Sequence, residues 1–254
     1  MPTYRAEGIT LLARKYKGTG RVVVYFTRER GKVEAVAQGV GKPGSTLAPA
    51  VELFAHSQLF LAEGRELDRL TQARVIESFE RLRRDVLRMG YAGVVCELYA
   101  VATERGEAIP EAFDDLRTFL AELDAGGPVK PLAAAVMWRF LSRSGVAPQL
   151  DDCVRCGRDL RPDEIGHVIP GEGGVACSGC RSGAQAESLL VEPRLRALAA
   201  GLARLDVGRA HRVAAAEGDW SRLIQIIMLQ ITFHLGLSLK SAEFVRQLEK
   251  QSLG

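Results

Sequence analysis

Two Cys-x2-Cys pairs, Cys153 with Cys156 and Cys177 with Cys180, stand twenty residues apart, and nothing else in the chain restricts its folding as tightly. This spacing lies at the upper edge of the interval that marks a tetrahedral zinc site, with four thiolates meeting at one ion. Gly157 behind the first pair and Gly179 within the second let each pair turn as a short knuckle. Gly171, Gly173 and Gly174 permit the reversal that brings the second pair back. Two disulfides or four unrelated thiols are the competing readings. The first residues, Met1 to Glu7, hold no apolar run behind basic residues, so no secretory leader is expected and the oxidising compartments in which disulfides persist are disfavoured. We therefore expect one structural Zn2+ per chain in a cytoplasmic protein. Four sulfurs fill the coordination sphere and leave no position for water or substrate. Arg155, Arg158 or Arg181 could offset the negative charge of the cluster, and His167 reads as a loop residue.

At 254 residues the chain is long enough for two or three units. Its first part is β-like: residues 8–12, 21–26 and 32–37 are short β-rich runs separated by Gly18, Gly20, Gly31 and the loop 39–45, and two further strands fit into residues 50–75. Five strands in so short a span suit an OB-type barrel, a fold whose open face commonly holds single-stranded nucleic acid. After that the period becomes helical. Residues 77–104 set Phe79, Leu82, Val86, Leu87, Val94, Val95, Leu98 and Val101 on one long stripe, with a break expected near Gly90 and Cys96 in the core. Further helices are expected over 110–123, after Pro131, and near 193–205, 219–235 and 240–250. The stretch from Leu223 to Leu239 is broken by Gln225, Gln230, Thr232, His234 and Gly236, too polar to span a membrane, and reads as a buried helix. The fold class expected is α+β: an OB-type β barrel over 1–77, then an α-helical domain over 78–254 with a four-cysteine zinc module inserted at about 148–183.

Net charge is +3, unevenly spread. Residues 1–50 carry nine Lys or Arg against three Glu, whereas residues 51–130 carry ten against fifteen acidic residues. A basic first segment on a near-neutral chain suggests a surface for a polyanion, because clustered cations release counterions on meeting phosphates; a merely solvated face is the plainer alternative. The candidate DNA-contact set is Arg14, Lys15, Lys17, Arg21, Arg28, Arg30, Lys32 and Lys42, with Tyr16, Tyr25 or Phe26 as stacking surfaces and at least one of these aromatics in the core. A second cluster, Arg81, Arg83, Arg84 and Arg88, is interleaved with Glu77, Glu80 and Asp85 and reads as helix charge pairs. Enzyme motifs are scarce. Gly41-Lys42 lacks the glycine spacing of a phosphate loop, and His56, His167, His211 and His234 are dispersed.

The run Gly145-Val-Ala-Pro-Gln-Leu-Asp-Asp-Cys-Val-Arg-Cys-Gly157, followed by Gly173-Gly-Val-Ala-Cys-Ser-Gly-Cys180, resembles two blocks of the RecO family of bacterial recombination mediators. Thr27 to Val33 in the barrel, His234 to Leu237, and Lys240-Ser241 extend the likeness over nearly the whole chain. The resemblance implies an OB fold, a helical domain and an inserted zinc module. It also implies a non-enzymatic protein that binds single- and double-stranded DNA, anneals complementary strands, and joins RecR to load RecA onto DNA covered by single-strand-binding protein, within the cytoplasm at the nucleoid and not in a membrane. The loop after the third strand carries Lys42 but otherwise Gly, Pro and Ser, fewer basic residues than relatives often have there. A protein-interaction scaffold with a structural zinc is the alternative. A zinc-dependent nucleic-acid hydrolase would need an open ligand position or a second metal.

Overall fold

A computed structural model describes residues 2–181 and 189–252, the last of them in backbone only. The chain forms two compact units: one made of residues 1–126 and 239–254, the other of residues 127–238.

The first unit is built on five strands, β1 (Thr3–Tyr16), β2 (Gly20–Thr27), β3 (Gly31–Ala37), β4 (His56–Ala62) and β5 (Asp68–Glu77). They close into a barrel in the order β1-β2-β3-β5-β4. All pairings are antiparallel except β3 with β5, which is the OB-like topology expected. Closure depends on the length of β1. Its first half pairs with β4 and its second half with β2, with an irregularity between Thr10 and Leu12 where the strand bends from one sheet into the other. Alternation then fills the barrel with Ala6, Val23, Tyr25, Val33, Ala35, Leu59, Leu61 and Leu70.

Helices α1 (Val86–Ala102), α2 (Pro110–Asp124) and α6 (Lys240–Ser252) cluster with the barrel in this unit. Asp85 caps α1 by accepting from the Leu87 and Arg88 amides, so the helix starts later than the apolar stripe suggested. Leu82 lies in a separate 3-10 turn and Phe79 has φ of +51°, outside any helix. Gly90 does not break α1. A Cβ there would stand 3.0 Å from Val245 Cγ2, so the glycine instead lets α6 approach closely. Cys96 is fully buried, as expected, and burial pushes its thiol pKa far up.

The second unit holds α3 (Val129–Arg143), α4 (Pro193–Arg204) and α5 (Glu217–His234), together with a sheet of β6 (Gln149–Cys153), β7 (Gly166–Ile169), β8 (Gly174–Ala176) and β9 (Leu190–Val191) in the order β6-β8-β7-β9. Helix α5 is half buried rather than wholly buried. Leu223, Ile226, Ile227, Gln230 and Ile231 form its inner stripe, whereas Phe233 is 57% exposed. The expected end of the cysteine module, Ser182-Gly183, lies outside the described residues. Among the described residues no helix is long and apolar enough to cross a membrane.

Candidate metal centre and nucleic-acid interface

The four cysteines converge. Cys153 ends β6, Cys177 follows β8, and the sulfurs of Cys153, Cys156, Cys177 and Cys180 all lie within 4.8 Å of one another. Each pair turns as a knuckle: the Gly157 amide donates to the Cys153 carbonyl at 2.8 Å and the Cys180 amide to the Cys177 carbonyl at 2.9 Å. Four sulfurs about 2.3 Å from one ion stand about 3.8 Å apart at the corners of a tetrahedron. The Cys156 and Cys177 sulfurs are 4.0 Å apart, and all four cysteines are free thiols, so the set fits a metal ion and not a pair of disulfides.

The surroundings suit anionic sulfur. The Cys177 amide donates to Cys153 Sγ at 3.3 Å. Amides and a neighbouring thiol prevail over burial and bring the Cys153 pKa down to about 6. Arg158 reaches toward Cys177 while its guanidinium forks onto Glu164 at 2.9 and 2.8 Å. Glu164 in turn accepts from the Ser178 amide and hydroxyl, tying the first arm of the module to the second knuckle. Arg155 grips Glu172 and the Cys180 carbonyl.

Two glycines are required here. Gly173 has φ of +77°, and a Cβ on Gly174 would stand 2.3 Å from the Gln149 carbonyl oxygen. His167 is on strand β7, paired with Ala176 and Leu190, and not in a loop as expected. It lies outside the sulfur cluster, and burial together with Arg181 lowers its pKa.

Three supports of the module carried no signal that spacing could expose. Arg196 on α4 donates to the carbonyls of Leu160, Arg161 and Pro162. On α5, Gln230 donates to the Val146 carbonyl at 2.9 Å, and His234 Nε2 meets the Pro170 carbonyl at 2.8 Å.

The eight basic residues divide into two groups. Arg14, Lys15, Lys17 and Arg21 line the β1–β2 hairpin, with Lys15 directly opposite Arg21 in the register. These two lie two residues beyond Ala13 and Val23, which pack in the barrel, and in the same phase; Lys15 is exposed and Arg21 partly exposed. Lys42 joins them because the Gly41 amide donates to the Thr19 carbonyl at 3.0 Å, folding its loop onto the hairpin turn. Lys17 lies 5.6 Å from the centre of the Tyr16 ring. Among the described residues, none of these five cations pairs with a carboxylate.

The other three carry bonds within the first unit. Arg28 forks onto Asp114 of α2, lies 3.4 Å from Glu7 and covers the Phe113 ring. Arg30 stacks 3.8 Å from the centre of the Tyr4 ring and meets Glu63 at 3.5 Å. Lys32 donates to the Ala100 carbonyl near the end of α1. Of the expected stacking aromatics, Tyr25 points into the barrel, and Phe26 points the other way, packed edge-on to Tyr99 under the helices. Both are fully buried: Tyr25 in the barrel core, and Phe26 because α1 and α2 cover the outer face that alternation alone leaves to solvent. The second basic cluster is not the row of solvated helix charges expected: Arg81, Arg83 and Arg84 precede α1, the Arg83 Nε and Nη2 are buried, Arg84 pairs with Glu80 and Arg88 with Asp85, and Arg88 also donates to the Leu123 and Gly126 carbonyls at the end of α2.

Residues 1–79 match the family profile "Recombination protein O N terminal" and residues 83–243 match "Recombination protein O C terminal". Among curated proteins the chain is 34% identical over 253 residues to "DNA repair protein RecO" of Symbiobacterium thermophilum, covering 98% of each chain. It is 32% identical to the protein of that name from Desulforudis audaxviator, again over 98% of each. To the one from Bacillus subtilis it is 28% identical over 245 residues, 96% of this chain and 94% of the relative.

Proposed function

The chain belongs to the RecO family of DNA repair proteins, and from that premise we propose that it is a DNA-binding recombination mediator. It anneals complementary single strands without nucleotide hydrolysis and works with RecR, and with single-strand-binding protein as a further contact, to help load RecA. The observation that carries this reading is the hairpin end of the barrel. Lys15 faces Arg21 with Arg14, Lys17 and Lys42 beside them, and like charges set opposite each other destabilise a β ladder by a few tenths of a kcal/mol or more. A phosphate backbone relieves that repulsion and releases counterions as it does so. Arg28, Arg30 and Lys32 support the barrel and its helices, and contact DNA less than the hairpin group.

In this reading the four cysteines hold one Zn2+ structurally. Their four thiolates leave no open position, so the ion supplies folding energy and no chemistry. The protein acts in the cytoplasm, at the nucleoid, and is not an enzyme. The test is annealing of complementary oligonucleotides by the purified full chain with no nucleotide present. Acceleration over the spontaneous rate supports the proposal, and a requirement for ATP by this chain alone overturns it.

A further inference from the structure

We propose that the outer face of β1, β4 and β5 around Phe60 is a base-stacking subsite for single-stranded nucleic acid, separate from the basic hairpin end; the proposal rests on the DNA-binding reading above. Phe60 is 38% exposed on a barrel whose outward positions nearby are polar. In the register Arg5 stands directly opposite it on β1 and Gln72 directly opposite it on β5. These three, with Thr3, Tyr4 and Thr71, line an open recess of about 410 Å3. A single exposed phenylalanine is ordinary on a protein surface. A ring in a recess lined by a guanidinium-bearing and an amide-bearing residue has the composition of a ligand site: one apolar platform with a few polar groups beside it.

Charge favours a nucleotide as the occupant. Arg5 Nη2 donates to Gln58 Oε1 at 2.6 Å, which lays the guanidinium along the sheet face beside Phe60. Arg74 lies opposite Gln58 and Arg69 opposite Ala62, two residues to either side of Phe60. Carboxylates on the flanking segments are already engaged: Glu7 by His56 and Arg28, Glu63 by Arg30, and Asp68 by Tyr4 and Arg105. The face therefore offers cations to phosphates, an aromatic plane to a base, and the Gln72 amide to the base edge, the combination that holds single strands with little sequence preference. A duplex keeps its bases stacked on one another, so the ring discriminates in favour of unpaired DNA. Nine steps along β1 lead from Arg5 to Arg14, at most about 30 Å at the usual strand rise because the strand bends between them. One strand can reach both regions within the roughly 4–16 nucleotides that an OB fold covers.

The test uses the full chain with single-stranded oligonucleotides carrying 5-iodo-deoxyuridine for photo-cross-linking, together with Kd measurements on single and double strands for F60A, F60L and F60W. Loss of one stacked base corresponds to roughly a 5- to 150-fold loss of affinity. The expected result is a cross-link at Phe60, that loss for single strands in both F60A and F60L, unchanged duplex affinity and salt slope, and retained binding in F60W. F60L decides the matter if F60A alone unfolds. Single-strand affinity unchanged in both variants, or cross-links confined to other segments while the parent binds DNA, overturns the subsite and leaves the DNA-binding reading standing. A parent that binds neither form of DNA overturns both.

Discussion

Lys15 and Arg21 face each other across the β1–β2 hairpin with no carboxylate between them, so the barrel keeps a cross-strand pair that its own stability disfavours. Reversing one charge separates stability from binding. Lys15→Glu creates an opposite-charge pair with Arg21 and should raise unfolding stability by about 0.2–1 kcal/mol, while DNA affinity falls and its salt dependence flattens. Urea unfolding and binding titrations on the same preparation check both halves.

Arg28 should behave in the opposite way. Its fork onto Asp114 and its cover over Phe113 secure α2 to the barrel. Arg28→Ala should therefore lower stability, by roughly 0.5–1.5 kcal/mol for a guanidinium one-third exposed, and leave the salt slope of DNA binding near the parent's. A flattened slope with unchanged stability would instead make Arg28 a phosphate contact.

Removal of one sulfur tests the metal centre. Cys153 and Cys177 are buried, and a serine at either leaves three thiolates that cannot close a tetrahedral site. Cys153→Ser or Cys177→Ser should lack the one zinc per chain expected in the parent, with hydrogen exchange rising in β6–β8 and unchanged in the barrel. Parent protein prepared without chelators that is folded and free of zinc would contradict the assignment.

Glu164 gives the cysteine module an acid sensitivity. The Arg158 fork, with the Arg161 and Ser178 amides, holds its carboxyl well below the usual carboxylate range against the opposing effect of burial. A depressed carboxylate stabilises the fold above its unfolded pKa, and that stabilisation is lost as the pH falls through the range of about 4 and below. Glu164→Gln should be less stable than the parent at pH 7, and the difference should shrink toward pH 3 in urea unfolding followed at several pH values. A constant difference across that range would show that the charge of Glu164 does not matter.

The sulfur site was legible because its ligands lie in two tight pairs whose spacing means little else, and the barrel because short alternating runs between glycines fit few other folds. Residues that act across long sequence separations were not legible. Gln230 and His234 look like polar interruptions in an apolar stretch, and only the folded chain sets them against Val146 and Pro170. Phe26 sits in the outward phase of its strand and is nevertheless buried, since whether an outer face meets water depends on which helices cover it. Gly90 has the mark of a helix break, yet the space it leaves is filled by Val245, 155 residues away in sequence. Charge gave the sign of the barrel's first segment, but not that Arg28 and Lys32 are engaged inside the unit while Lys15 and Arg21 are left to solvent.

The most direct test of DNA binding by the hairpin end is the dependence of log Kobs on log salt for single-stranded DNA, measured on the parent and on a variant with Arg14, Lys15, Lys17 and Arg21 all changed to Ala. Each lost phosphate contact lowers the magnitude of the slope by about 0.7 on single strands. The variant should therefore bind weakly, with a slope smaller by up to about 3, and should keep its zinc and its unfolding midpoint. A variant that binds with the parent's affinity and slope would contradict the account and move the DNA surface away from the hairpin.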